Sequence, residues 1–290
     1  MSGQRKRPGA PTPGTLAITP RDISFAPATP AGRWWLGGDP VRTAFFNALS
    51  ATFPDGERFF MDAVRSFRDA APPLLRPQIA AFLAQEAMHS REHVGFNRQA
   101  AASGYDLASM EARTEARLAY ARSRSPLIQL AVTAALEHVT AILANALLSD
   151  PRLLDGAPGE AKALWRWHAV EEIEHKSVAF DTLVAATADF AGLRRWLLRT
   201  FTMLSATRLL VATITGNIID SFDDDGINRP RTWTALLRFL FVEPGILRRV
   251  ALAYCAYFRP GFHPWLHDNR ALAADAARDL AQTRAASAPA

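Results

Sequence analysis

The chain has 290 residues, 49% of them hydrophobic and 21% charged, with a net charge of +5 and a pI of about 9.9. That length and composition support a sizeable core, in one large domain or two small ones. The single Cys255 excludes an internal disulfide and any cysteine-rich zinc site, and it fits a reducing, cytoplasmic setting. Beyond the N-terminus charges of both signs are mixed, which argues against a dedicated nucleic-acid binder.

The opening stretch, MSGQRKRPGAPTPG, is basic and rich in Pro and Gly. No apolar run follows it, so it is not a secretory signal, and residues 1–30 read as a disordered tail. From there Ala and Leu dominate, and apolar residues recur at three and four rather than at two, so helices are expected almost throughout. Residues 40–52 read as a short helix ending near Pro54. PDGERFFMDAVRSF starts a second with Pro and Asp at its head. Further helices are expected over 74–103, 107–122, 126–148, 159–188, 192–220 and 231–257. The acidic turn DDDGINRP separates the last two. The expected organisation is a helical domain over 31–275 and a C-terminal helix fraying into a tail over 276–290. The stretch 196–219 is apolar enough to raise a membrane question. Arg199 and Arg208 inside it are costly in a bilayer, so a buried or interface helix is expected. Peripheral membrane contact or a homodimer through this helix is the alternative.

Certain acidic and histidine residues fall where core residues belong. Glu57 lies on the stripe of Phe60, Met61, Val64 and Phe67. Glu86, His89 and His93 share a face with Ile79, Phe82, Leu83 and Phe96, because three, four and seven residues are near-integral helical turns. Glu137 sits among Leu130, Thr133, Thr140, Ala141 and Ala144, and Leu164, His168, Glu172, His175 and Ala179 share a face. Several ionised carboxylates in one apolar core are untenable without compensating positive charge. Two divalent cations would balance four of them. Glu on two helices with Glu-x-x-His on two others is the dinuclear ligand pattern of ferritin-like bundles. Either Glu-x-x-His alone is a weak signal; the order Glu, Glu-x-x-His, Glu, Glu-x-x-His is a specific one. His168 is expected to ligate directly, while His93 is left between ligand and outer support. Glu171 is near enough to the face to compete with Glu172 or to bridge, and His138 is expected to be peripheral. His89-x-x-Glu92-His93 also has the spacing of an inverted zinc-peptidase motif. That reading leaves Glu57, Glu137 and the second Glu-x-x-His unexplained, and Glu92 is expected to be solvated.

The strings FPDGERFF, FLAQEAMHSREHVGFN, LEHVTA, WRWHAVEEIEHKSVAFD and RPGFHPW together resemble a bacterial family labelled "predicted metal-dependent hydrolase", over roughly residues 30–270. The resemblance implies a ferritin-like fold, with Glu57, Glu86, His89, Glu137, Glu172 and His175 at the family's acidic and histidine positions and His93 and His168 alongside. At its own helix, His168-x-x-x-Glu172-x-x-His175 is similar to the extra-histidine pattern of di-iron arylamine N-oxygenases. The fold expectation is therefore all-α, a ferritin-like four-helix bundle with additional C-terminal helices. Mixed imidazole and carboxylate ligands suit Fe, Mn and Zn; the carboxylate-rich set tilts the expectation to two irons and to oxidation of an apolar small molecule, with an electron-donor protein as partner. The apolar substrate is inferred from Phe60, Phe82, Phe96, Trp165, Trp167 and Phe180. Hydrolysis on Zn or Mn is the alternative, and a non-catalytic metal-binding protein a further one. His263, between aromatic and proline residues, could cap the pocket.

Overall fold

The computed structural model describes residues 12–14, 16–25 and 32–287. The stretches 1–11, 15 and 26–31, on which most of the expected tail falls, lie outside the described residues, as do 288–290. The described chain is all-α.

Four helices build the framework. α1 (Pro40–Ser50) leads into α2 (Phe53–Arg65), α3 (Arg76–Ala102), α4 (Leu107–Arg122), α5 (Pro126–Ser149) and α6 (Gly159–His175). α2 packs along α3 and α5 along α6, and the cross-contacts of α2 with α5 and of α3 with α6 close a helical bundle. Each start follows local chemistry. The Asp39 carboxylate accepts the Val41 and Arg42 amides ahead of α1, and Pro126 opens α5 where its missing N–H costs nothing. α7 (Val178–Ala186), α8 (Gly192–Asp224), α9 (Pro230–Phe241), α10 (Ile246–Ala256) and α11 (Arg270–Ser287) wrap this frame, with α8 against α1, α4 and α5 and with α11 against α6.

Three boundaries differ from the sequence reading. The helix expected over 159–188 breaks at Lys176 and Ser177 into α6 and α7. The helix expected over 231–257 is two, because Pro244 lacks an N–H and Gly245 takes a left-handed φ of 74°. The chain beyond 275 is docked helix as far as Ser287: Ala273, Ala276 and Leu280 are buried in the same core as Leu164 and Trp165 of α6. Helical periodicity was present there, but Ala contributes little to a hydrophobic stripe.

The N-terminal segment also differs in its described part. Residues 16–25 run as an extended strap across α3 and α6. Phe25 is buried against Trp167 at a centroid separation of 5.3 Å, and the Phe25 amide donates to Glu92 Oε2 at 2.8 Å.

Candidate metal centre

The bundle interior brings together Glu57 from α2, Glu86 and His89 from α3, Glu137 from α5, and His168, Glu172 and His175 from α6. All seven are buried. Their ligating atoms fall into overlapping sets within 4.8 Å: Glu57 with His89 and His168, Glu86 with His89 and Glu172, and Glu86 with Glu137 and His175. His175 Nε2 lies 3.1 Å from Glu86, 3.4 Å from Glu137 and 3.5 Å from Glu172.

These approaches leave polar atoms unpaired. Both oxygens of Glu57, Glu86 and Glu137, Oε2 of Glu172, Nδ1 of His89 and Nε2 of His175 are buried with no hydrogen-bond partner. They are nine of the 18 such side-chain atoms among the described residues. A buried unpaired carboxylate oxygen is expensive, so the cluster requires a cation or protons between its members. The acid–base balance shows protons taking that role when no metal is bound. Burial, with Glu86 beside it, raises Glu57 well above the ordinary carboxylate range, and burial together with Glu86 brings Glu137 to about 8. His89 is raised to about 10: burial opposes protonation, but bonds to Glu171 and Glu86 outweigh it. His175 is likewise raised, against burial, by Glu172 and Glu137.

The outer nitrogen of each ring is held. His89 Nε2–H donates to Glu171 Oε2 at 3.2 Å, leaving Nδ1 toward Glu86 and Glu172. His175 Nδ1–H donates to Gln85 Oε1 at 2.9 Å; the Gln85 amide nitrogen donates to Thr19 O and Glu174, which fixes the side-chain orientation. For His168 the tautomer follows along a chain of bonds. Asn97 Nδ2 donates to the Ser50 carbonyl, so its Oδ1 faces and accepts the Ser50 hydroxyl. Ser50 Oγ, its one hydrogen used, accepts from His93 Nδ1–H at 2.8 Å. Burial keeps His93 neutral, its pKa well below the usual value, so its Nε2 accepts from His168 Nδ1–H at 2.7 Å. Burial lowers His168 as well. Its bare Nε2 then faces Glu172 Oε1 at 2.9 Å and Glu57 Oε1 at 3.8 Å. A lone pair aimed at carboxylate oxygens is repulsive until a cation sits between them.

The structure thus separates the two extra histidines. His168 joins the convergent donors, and His93 stands behind it with both nitrogens engaged. Glu171 does not turn toward the cluster: it holds His89 and accepts the Arg21 amide at 3.0 Å and the Arg21 guanidinium at 3.3 Å. Glu92 is not solvated as expected. It is 7% exposed, and its oxygens are taken by Phe25 N and Arg91 Nε, which leaves the inverted peptidase motif without a free base. His138 is peripheral, with Nε2–H donating to Ala253 O and burial lowering its pKa to about 4. His263 does not cap the cavity; it accepts the Trp265 amide and bonds Asp181, capping the short turn Pro264–Leu266. Gln85, Ser50, Asn97 and Arg21 escaped the sequence reading. Gln85 and Asn97 lie on the inner face of α3, and that was their available signal.

Aromatic rings wall the cluster. Phe82 packs edge-on to His175 and Trp167 to His89, while Phe53 contacts both His93 and His168. Phe60 and Trp165 line cavities and Phe96 backs His93, but Phe180 belongs to a separate cluster with Tyr257 and Phe262. One apolar cavity of about 40 Å³ reaches His168 and Glu172 between Phe45, Phe46, Phe53 and Trp165. A second, of about 100 Å³, ends at Glu57 between α2, α4, α5 and α8.

This is an all-α protein whose buried carboxylates and imidazoles form groups able to hold metal ions. The chain belongs to the family described as predicted metal-dependent hydrolase, whose model matches residues 19–268. No curated protein and no solved structure matches it.

Proposed function

We propose that this chain is a metal-dependent hydrolase that holds two divalent cations among α2, α3, α5 and α6 and acts on an apolar small molecule. The observation that carries the reading is the convergence of four buried carboxylates and three inward-facing imidazole nitrogens, nine of whose ligating atoms lack a hydrogen-bonding partner. Glu57, His89 and His168 would serve one cation and Glu137 and His175 the other, with the carboxylates of Glu86 and Glu172 between them. Two Glu and two Glu-x-x-His on four helices is the ferritin-like arrangement. The held outer nitrogens support it, since metal-binding histidines almost always donate their second N–H to a carboxylate or carbonyl. His93 acts as a positioning residue for His168 in this scheme. The family description favours hydrolysis as the reaction.

Cations bound there would supply a lowered water pKa and would neutralise developing negative charge. The chain's own residues do the rest. Glu171, Gln85 and His93 fix three ring orientations, and Phe53, Phe82, Trp165 and Trp167 keep bulk water out. The cavity ending at Glu57 binds the apolar body of the substrate.

A second reading, oxidation on two irons with an electron-donor protein, is favoured by one observation. Among the described residues lining the two cavities, the only acid or base outside the ligand set is Arg117. No lining side chain is therefore suited to protonate a leaving group. Metal analysis of anaerobically purified protein, followed by ester and amide turnover and by spectra after O2 addition, separates the readings. Stoichiometric zinc or manganese with turnover of an ester or amide supports hydrolysis. Iron with an oxygen-dependent absorption feature supports the second. Protein that retains no metal and takes up none of the three overturns both.

A further inference from the structure

α8 is apolar on two opposite sides. Its inner side, with Met203, Ala206 and Thr213, is buried against the bundle. On its outer side Leu193, Leu197, Phe201, Leu204 and Val211 are exposed by 67, 37, 66, 50 and 56%. At 100° per residue these five and Arg208 fall within about 80° of arc, and the stripe runs for about 27 Å. A helix lying on a globular core normally presents a polar outer face. Only 28% of the most apolar stretch of α8 is buried, against 50% for α5, the other long apolar helix. Scattered exposed apolar side chains need no explanation, but a continuous stripe marks an interaction surface.

The charges say what covers it. Between residues 192 and 219 the helix carries four arginines and no Asp or Glu. Arg199 is buried against Tyr257 and Phe262, and Arg195 is tied to Thr187. Arg208 is exposed in the middle of the stripe and makes no ion pair or hydrogen bond among the described residues. An unpaired Arg among Leu, Phe and Val suits a layer that is apolar below and anionic above, where the guanidinium reaches phosphates while its stem stays in the apolar zone. A second copy fits less well, because residues 192–219 of a facing α8 would bring no Asp or Glu to pair with Arg208. A membrane-spanning course is incompatible with the buried inner side.

We propose that the outer face of α8 lies on the surface of an anionic phospholipid bilayer. The opposite side of the same helix, through Ala206, Leu209, Leu210 and Thr213, walls the cavity that ends at Glu57. Docking in this orientation sets that cavity one helix away from the lipid. The proposal does not depend on which metal or reaction the centre supports.

The test is co-sedimentation of the full-length, metal-loaded protein with vesicles of phosphatidylcholine alone and of phosphatidylcholine with phosphatidylglycerol. Wild type should bind the mixed vesicles and release as salt is raised. Phe201→Asp with Leu204→Asp should weaken binding at least about tenfold while metal content and the helical circular-dichroism spectrum stay unchanged; introducing two carboxylates removes apolar contact and adds repulsion. Arg208→Gln should reduce binding to the mixed vesicles alone. The basic Arg5-Lys6-Arg7 stretch is present in every variant, so undiminished binding by the double variant would assign lipid contact to the tail and overturn the proposal. A wild-type protein that ignores both vesicles and scatters light as a dimer dispersed by the same double variant would also overturn it, making a second copy the occupant.

Discussion

Replacing Glu137 by Gln should change stability in opposite directions with and without metal. The amide preserves the shape of the side chain and removes its charge. In the metal-free protein burial and Glu86 hold Glu137 at about 8, against an ordinary value of 4.5. A carboxyl whose folded pKa is raised costs nothing below the unfolded value. Its penalty grows with pH between the two values and levels off above the folded one. At pH 7 the folded chain must bind a proton that the unfolded chain does not, at a cost of about 3 kcal/mol. At pH 5 the same cost is under about 1 kcal/mol. Glu137→Gln should therefore raise the melting temperature of the chelator-stripped protein at pH 7 by roughly 5–10 °C, and much less at pH 5. With metal present the order reverses, because the variant has lost a ligand and with it part of the stabilisation that metal binding gives the native state. Scanning fluorimetry on stripped and reloaded protein at both pH values reads all four numbers. A stripped variant that melts below wild type by the same margin at pH 5 and pH 7 would refute the reasoning, since it would make Glu137 an ordinary buried polar group.

Metal affinity should climb with pH. Below about pH 8 both His89 and Glu137 carry protons that a cation must displace, so the apparent association constant should rise about tenfold per pH unit for each proton released; competition titration against a chelator from pH 6 to 8 measures the slope. Glu171→Ala should cost roughly 10–100-fold in affinity by freeing the His89 ring, whereas Glu92→Gln, which touches the strap and not the cluster, should leave affinity within about twofold. Ser50→Ala should weaken binding at the His168 end while stoichiometry stays unchanged, and His168→Ala should lower the stoichiometry itself; metal analysis at saturation distinguishes the two.

How much of this was legible in the sequence depended on periodicity. The four framework helices and the inward direction of Glu57, Glu86, Glu137 and Glu172 follow from the 3.6-residue repeat, because each carboxylate occupies a position that the repeat assigns to a core residue. The same repeat cannot say what a side chain does once inside. Glu171 and Glu172 are neighbours on one helix and both are buried. Only the position of Arg21, 150 residues earlier, shows that the first supports a ring and the second faces the cluster. The order His168, His93, Ser50, Asn97 could not be read either, since it joins α1, α3 and α6 and its direction is set by a single backbone carbonyl. The breaks at Pro244 and Gly245 had an explicit local signal that the surrounding apolar pattern masked.

The N-terminal strap carries the largest consequence of that difference. It has no helical repeat, yet its amides are spent on carboxylates of the bundle: Thr19 on Glu174, Arg21 on Glu171 and Phe25 on Glu92. Each bond adds a backbone donor to a buried or half-buried anion on α3 or α6 that otherwise accepts from side chains of α3. One of those anions, Glu171, holds His89, and Glu174 helps to fix Gln85, which holds His175. Two of the three inward-facing rings are thus oriented through residues that the strap satisfies. The strap is bound to the bundle by these polar contacts and by only three apolar anchors, Ile18, Ile23 and Phe25, so it should be among the first elements to open as stability falls. Removing residues 1–25 should therefore lower metal affinity before it lowers helix content, and Arg21→Ala should reproduce part of that loss with the rest of the strap in place. Equal metal affinity for the truncated and full-length chains would mean that α3 and α6 orient His89 and His175 unaided.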